Sequence, residues 1–284
     1  MDKSFPKISI VTPVFNQIGF IEKTIQSILG QKYPNLEYII IDGGSTDGTV
    51  EIIKKYAAQL AYWESEPDNG MYFALQKGFE KSTGDIMGWL NSDDLLYHQS
   101  LFTVAEVLNL NEEIKWITGL ASTIDKTGRV LDILPARRWS KFNYMLKDFR
   151  IIQQESTFWK RKLWTQAGSC VNVGYKYAGD LELWARFFLY DKLYSVSAPI
   201  GCFRLRAGEQ LSSRYFNQYV AEADEILSAM PKTVVDERIL KKILSYQQSR
   251  FLLKSDSIRE KYTRLFDYPG LIKYSFDKQG FVIA

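Results

Sequence analysis

The chain has 284 residues, 46% of them hydrophobic, and a formal net charge of +3. Such a length and apolar content allow one large domain, or one domain with an appendage. A charge so close to zero gives no ground for bulk electrostatic binding of nucleic acid.

The first strand is expected at Ile8-Ser9-Ile10-Val11, stopping at Thr12-Pro13. Phe20, Ile21, Ile25, Ile28 and Leu29 then follow helical spacing. Tyr38 to Ile41 reads as a strand buried on both faces. Val50, Ile52, Ile53, Tyr56 and Leu60 form a second helical stripe, and Ala61 to Glu64 a short strand. Met71, Leu75 and Phe79 predict a third helix, ended near Gly84. A strand over Ile86 to Leu90 and a helix over Leu101 to Leu110 follow. Strand and helix alternate, as in a parallel sheet with right-handed crossovers. Beyond Asn111 the rhythm changes. Lys115 to Ile124 and Arg129 to Leu134 read as two strands around Asp125-Lys126-Thr127-Gly128. An aromatic and basic stretch runs from Arg137 to Phe149. Leu181, Trp184, Ala185 and Phe188 give one more helix, and Leu193 to Val196 a last strand. From about Ser213 the chain reads as helical, with breaks at Pro231 and Pro269-Gly270.

Two acidic turns close apolar runs. In Asp42-Gly43-Gly44-Ser45-Thr46-Asp47-Gly48 the glycines permit a tight turn from strand to helix. A carboxylate there can accept from a base imide or from ribose hydroxyls. The absence of Gly-x-Gly-x-x-Gly disfavours a nicotinamide dehydrogenase. In Asn91-Ser92-Asp93-Asp94 the adjacent carboxylates repel unless a cation offsets them. That pairing suggests a hard divalent metal, Mn2+ or Mg2+, held together with a phosphorylated substrate. His98 is the only histidine, so a multi-histidine metal site is excluded. Cys170 and Cys202 make no metal-type pair and read as reduced core thiols.

Together these pieces resemble the family 2 glycosyltransferases and their GT-A fold, a Rossmann-like, mostly parallel sheet flanked by helices. Ile8 to Asn16 is similar to the family's opening strand, Asp42 to Thr49 to its acidic turn, and Asn91 to Asp94 to its Asp-x-Asp region. Trp63 to Tyr72 is close to a segment of bacterial O-antigen and exopolysaccharide transferases. The resemblance covers roughly residues 7 to 205. By position it implies that Pro13, Phe15 and Asn16 line the nucleotide pocket and that Asp42 binds the base. Asp68 and Gly70 lie near the nucleotide, Asp93 faces ribose or metal, and Asp94 is the main metal ligand. Asn91 stands where relatives often carry Asp. Phe73 and Gln76 also depart from the family pattern.

The same resemblance implies a second half. An inverting transfer needs a base for the acceptor hydroxyl. In Gly179-Asp180-Leu181-Glu182 the resemblance makes Asp180 that base, with Glu182 in reserve. Read from the residues alone, both are helix-start acids, and Glu182 is placed to pair with Arg186. Gln154 and Glu155 resemble a segment that meets the donor sugar and acceptor, and nearby Trp159 either stacks on a ring or packs. Arg204 and Arg206 flank Leu205 in an expected loop, either one a candidate for the donor diphosphate. The whole predicts an inverting, non-processive transferase using a nucleoside-diphosphate sugar, first of all a UDP-sugar. Its acceptor would be a glycan or polyprenyl-linked glycan of bacterial surface polysaccharide. A nucleotidyltransferase of similar fold, or a non-catalytic nucleotide-binding partner, are the alternatives. The expected division is residues 1–212 as catalytic domain, in halves 1–110 and 111–212, and 213–284 as a helical appendage. Its mixed basic and aromatic residues suit packing on the catalytic domain, on a second copy, or on an anionic membrane surface. With neither a secretory signal nor a membrane-length apolar run, the expected place is the cytoplasm, extending to the membrane's inner face.

Overall fold

The computed structural model describes residues 5–148, 151–206, 214–249 and 254–284. The expected domain boundary at 212–213 lies outside them. The elements in chain order are β1 (Ile8–Val14), α1 (Ile21–Leu29), β2 (Leu36–Asp42), α2 (Thr49–Tyr56), β3 (Tyr62–Ser65), α3 (Met71–Lys81), β4 (Ile86–Trp89), β5 (Leu95–Leu96) and α4 (Ser100–Asn109). There follow β6 (Trp116–Thr118), β7 (Ser122–Ile124), β8 (Val130–Ile133), α5 (Lys141–Met145), β9 (Thr157–Lys160), α6 (Arg161–Gln166), α7 (Gly179–Phe187), β10 (Leu193–Ser195) and β11 (Gly201–Arg204). The last are α8 (Phe216–Ala229), α9 (Val234–Gln248), α10 (Asp256–Arg264), β12 (Ile272–Ser275) and β13 (Gly280–Ile283).

The main sheet has seven strands in the order β10-β6-β9-β4-β1-β2-β3. Strands β1 to β4 are mutually parallel where they pair, whereas β9 runs antiparallel between β4 and β6. Strict alternation sends Ile10, Tyr38, Ile40 and Ile86 into one apolar layer, with α1, α2 and α4. Val11, Ile39, Ile41, Met87 and Trp89 enter the other, with α3 and α7. That second layer is aromatic: Trp89 stacks on Trp184 at 5.5 Å, and Trp159 packs edge-on to both at 5.6 Å. The mostly parallel α/β architecture is the one the sequence predicts.

Four features differ from expectation. First, β1 continues through Pro13 to Val14. The Val11 carbonyl faces β4 and accepts from Leu90, so Pro13 faces the same side two residues on, past the end of β1–β4 pairing. No ladder donor is lost there. Second, Lys115 to Ile124 is two strands in different sheets, with β7 in a four-stranded sheet ordered β5-β11-β7-β8. The break is at Gly119, whose N–H donates to the Ser156 carbonyl and whose Cβ position lies 2.9 Å from the Ala198 carbonyl oxygen. Third, Arg204 ends a buried strand, β11, and is not in a loop. Fourth, the chain's end is not wholly helical: β12 and β13 form a hairpin, bridged to the main sheet at Val196 and Ile272. In the helical segment before it, Phe266 is buried, and Tyr262, Leu265 and Tyr268 pack on the aromatic layer. No described helix is long and apolar enough to cross a membrane.

One close approach ties the two sheets together. A Cβ on Gly201 of β11 would lie 2.0 Å from the Glu155 carbonyl oxygen. Gly201→Ala must therefore push apart β11 and the turn before β9, at a cost of roughly 1–3 kcal/mol for an overpacked interior. A lower midpoint in thermal or urea unfolding is the expected result; an unchanged midpoint would mean that this contact relaxes freely.

Candidate functional site

Strand ends gather the candidate residues at one edge. The carboxyl ends of β1, β2, β3 and β4 share it because those strands run the same way. The start of β9 shares it because β9 runs oppositely. Ligands of open α/β sheets bind at this kind of edge.

On the nucleotide side, Asp42 closes β2 fully buried. Its Oδ2 accepts from Gly44 N at 3.1 Å, Ser45 N at 2.8 Å and Ser65 Oγ at 2.6 Å, and its Oδ1 from Ser45 Oγ at 2.5 Å. Asn16, at φ 50°, laces the β1 turn to this one: its N–H donates to Ser45 Oγ at 2.7 Å and its Oδ1 accepts from Thr46 N at 3.0 Å. Asp68 receives Gly70 N at 2.8 Å, and its carboxylate lies 3.1 Å from where a Cβ on Gly43 would stand. Pro13 is buried, whereas Phe15 is 60% exposed. Phe15, Asn16, Asp42, Asp68 and Gly70 thus come together. Asp42 already holds four donors, three of them on Oδ2, so spare acceptor capacity lies on Oδ1.

Beyond β4 the chain turns through Asn91-Ser92-Asp93-Asp94. Asp94 is fully buried, and its Oδ1 accepts the Arg204 N–H at 2.8 Å. Asp93 Oδ2 pairs with Arg206 at 2.6 Å. Arg204, also fully buried, donates through Nε to the Asp93 carbonyl at 2.5 Å and through Nη1 to the carbonyls of Asp125 and Lys126 at 2.9 Å. Both guanidinium groups lie over the Phe20 ring, at 5.3 and 5.1 Å. Arg204 therefore braces the acidic turn from inside, and Arg206 stands nearer its surface.

Gln154 and Glu155 sit in the turn that enters β9, both buried. Gln154 Nε2 donates to the Trp89 carbonyl at the end of β4. Asp180 is the second residue of α7 and is half-buried, its Oδ1 accepting from Leu181 N at 2.8 Å.

These carboxylates feel one another. Burial drives Asp94 well above the ordinary carboxylate range, and the charges of Asp93 and Glu155 push it further. Burial likewise lifts Glu155 to about 8, with Asp180 and Asp93 adding to the rise. Burial lifts Asp180 to about 6, aided by Glu222 on α8. Asp93 is also raised by burial, against the opposing pull of Arg206.

This corner suits a hard cation. Asn91 Oδ1, Gln154 Oε1 and Glu155 Oε1 are buried oxygens without a hydrogen-bond donor. With Asp93 and Asp94 they offer oxygen ligands only. Among the described residues no group of three or more His, Cys, Asp or Glu is arranged as a metal site. Magnesium-type ions need fewer: one or two carboxylates plus substrate phosphates suffice.

Other predicted residues lie elsewhere. Glu182 makes a two-pronged pair with Arg186, at 2.7 and 2.9 Å, as its i,i+4 spacing allows. Trp159 is core. His98 is exposed, and of the two thiols Cys202 is buried and Cys170 exposed. Tyr72 and Glu222 hold the start of α7. Tyr72 is marked in the sequence only as the last residue of the Trp63 to Tyr72 segment, and Glu222 reads as one of several acids in a helical stretch.

Known proteins agree with this architecture. The model of glycosyl transferase family 2 matches residues 9–174. A PGL/p-HBAD biosynthesis glycosyltransferase of Mycobacterium bovis is 26% identical over 84% of this chain and 84% of its own. Several other curated relatives share less than two thirds of their own length with this chain. Residues 1–349 of Staphylococcus aureus TarS, solved with UDP-GlcNAc, superpose with a TM-score of 0.65 at 17% identity, over 82% of this chain and 70% of that one. A Pyrobaculum calidifontis mannosyltransferase solved with GDP-Man and Mn2+ gives 0.57 at 15% identity, over 93% and 85%. At those identities the structures speak for the fold alone, whereas the family match covers more than half of the sequence. The chain belongs to glycosyl transferase family 2 and has the GT-A fold.

Proposed function

We propose that this chain moves one sugar from a nucleoside-diphosphate donor to a hydroxyl of a glycan or lipid-linked acceptor, with inversion. One observation carries the reading. Asp180, a carboxyl raised to about 6, lies close enough to the buried Glu155 to raise its proton affinity, and Glu155 in turn acts on Asp94 at the ligand-binding edge of the sheet. A base poised near neutral pH can take a hydroxyl proton and remain mostly ionised.

In this reading the donor's nucleoside lies against Pro13, Phe15, Asn16, Asp42, Asp68 and Gly70. Asp93 and Asp94, with Asn91 beside them, would hold a divalent cation. That cation, when bound, supplies positive charge to the departing diphosphate. Arg206 lies beside Asp93 and is placed to share that charge, while Arg204 holds the turn in shape. Gln154 and Glu155 hydrogen-bond sugar hydroxyls, and Glu182 stays with Arg186. The acceptor oxygen attacks the anomeric carbon as the bond to the β-phosphate oxygen breaks. The bonding pair leaves with the nucleoside diphosphate, and the hydroxyl proton passes to an Asp180 oxygen.

Support for the donor class comes from the neighbours, one solved with UDP-GlcNAc and one with GDP-Man and Mn2+. Support for a glycan or glycolipid product comes from the relative named for PGL/p-HBAD biosynthesis. We place the reaction in the cytoplasm or at the inner membrane face, with residues 213–284 as an appendage to a catalytic domain of 1–212. The appendage is also where a second copy would meet the first.

Thermal shift with UDP, GDP and dTDP, each with and without Mn2+, tests donor binding directly. Stabilisation by one of them, larger with metal and lost in Asp94→Ala, is expected. No shift with any nucleotide would sink the reading.

Asp180→Asn should lower nucleoside diphosphate release from the matching donor by at least about a hundredfold, the usual scale of general-base loss, with donor binding kept. In the wild type, release should fall about tenfold per pH unit below about 6, as Asp180 takes up its proton. A flat profile from pH 7 to 5 would exclude Asp180 as the base.

The raised carboxylates also set the pH dependence of stability. Their folded values lie above their unfolded ones, so between about pH 5 and 8, where the lowered carboxylates such as Glu37 are already ionised in both states, these groups hold more protons in the folded chain and stability falls as pH rises. The melting temperature should therefore drop between pH 5 and 8. The drop should be smaller in Glu155→Gln, and smaller in the wild type once Mn2+ is added.

A further inference from the structure

We propose that Glu222, on α8 and beyond the family-matched residues 9–174, is a positioning residue for Asp180: its carboxylate fixes the turn from which α7 starts. The proposal rests on Asp180 being the base.

Three successive N–H groups of that turn donate to the Glu222 carboxylate. Lys176 N reaches Oε1 at 3.0 Å, and Tyr177 N and Ala178 N each reach Oε2 at 2.8 Å. Ala178 stands at the N-cap of α7 and has no side-chain oxygen to offer. A helix start leaves its first N–H groups unpaired, and its dipole favours negative charge there. The next two donors, Gly179 N and Asp180 N, go to the Tyr72 hydroxyl at 2.9 and 3.4 Å, and the sixth, Leu181 N, to Asp180 itself at 2.8 Å. Every N–H from residue 176 to 181 thus has an acceptor, and five of the six donate to two distant side chains.

Those side chains belong to different parts of the molecule. Tyr72 is on α3, immediately after the Gly70 turn of the nucleotide side. Glu222 is on α8, which is seated by buried Ala223, Ile226 and Leu227. Tyr175 donates to Glu225 at 3.2 Å, and Tyr177 stacks on Tyr215 at 5.0 Å, so α8 follows the same turn along its length. Three donors on two charged oxygens make a strong, directional clamp. A displacement of the start of α7, which carries Asp180, would strain this clamp. Through Glu222, α8 therefore helps set the position of the turn that carries Asp180.

The test compares E222A and E222Q with the wild type and with Asp180→Asn, using whichever of UDP-GlcNAc and GDP-Man the wild type turns over with Mn2+. E222A should lower kcat by about 10- to 100-fold, the range expected for a base displaced by up to an ångström. The donor KM should stay within about twofold. E222Q keeps one oxygen for Tyr177 N and Ala178 N, and should recover part of that loss, ending about 3- to 10-fold below wild type. Wild-type kcat in E222A, with Asp180→Asn inactive, would overturn the positioning role and leave the base assignment standing. A rise in donor KM matching the fall in kcat would also overturn it, as general damage. Should E222A not fold, E222Q decides alone: a lower kcat at unchanged donor KM supports the role, and wild-type kcat removes it. Full activity in Asp180→Asn would strike at the base reading itself.

Discussion

Carboxylates cannot be crowded together away from water without cost, and this fold does so with Asp93, Asp94, Glu155 and Asp180. Much of the surrounding structure answers that constraint. Arg204, fully buried, fastens the acidic turn to the loop at Asp125, and Arg206 pairs with Asp93 nearer the surface. Phe20 lies beneath both guanidinium groups, so the turn after β1 is drawn into the same arrangement. Charge is offset in part. The remainder is expressed as raised proton affinities.

The acids reach one corner by strand direction. Parallel neighbours deliver their carboxyl ends to one edge, which brings the ends of β2 and β4 together. An antiparallel strand delivers its beginning to the same edge. By running against β4 and β6, β9 places Gln154 and Glu155 beside Asp94, although they precede their strand and the aspartates follow theirs. Asp180 arrives by a third route, at the start of a helix.

The legible parts of the sequence are those where local pattern and burial agree. Tyr38 to Ile41 and Ile86 to Leu90 are apolar runs buried on both faces, and each ends at an acid or amide that the sheet edge presents. The strands β9 and β11 escaped because their patterns do not announce them. Thr157-Phe158-Trp159-Lys160 is short and follows a polar stretch, and β11 ends in an arginine made tolerable in the interior by the acidic turn and by the carbonyls of Asp125 and Lys126. Arg204 reads as a loop cation open to a diphosphate because its partners, Asp93, Asp94 and Asp125, are remote in sequence. Lys115 to Ile124 looked like one strand because nothing local reveals the crowding at Gly119. Glu222 was invisible for the same reason: its acceptor role depends on backbone N–H groups that any sequence would carry.

The position of β9 also has a kinetic consequence. While the chain emerges, β4 has β1 on one flank and nothing on the other until residues 157–160 arrive. The intervening span includes β6, which cannot join the main sheet before β9 bridges it. Pairings between distant segments are slow to form, and an unpaired apolar edge is prone to associate with other chains. The flank of the sheet made by β9, β6 and β10 can therefore assemble only after β9 has reached β4. Until then, Glu155 has no place in the acid cluster.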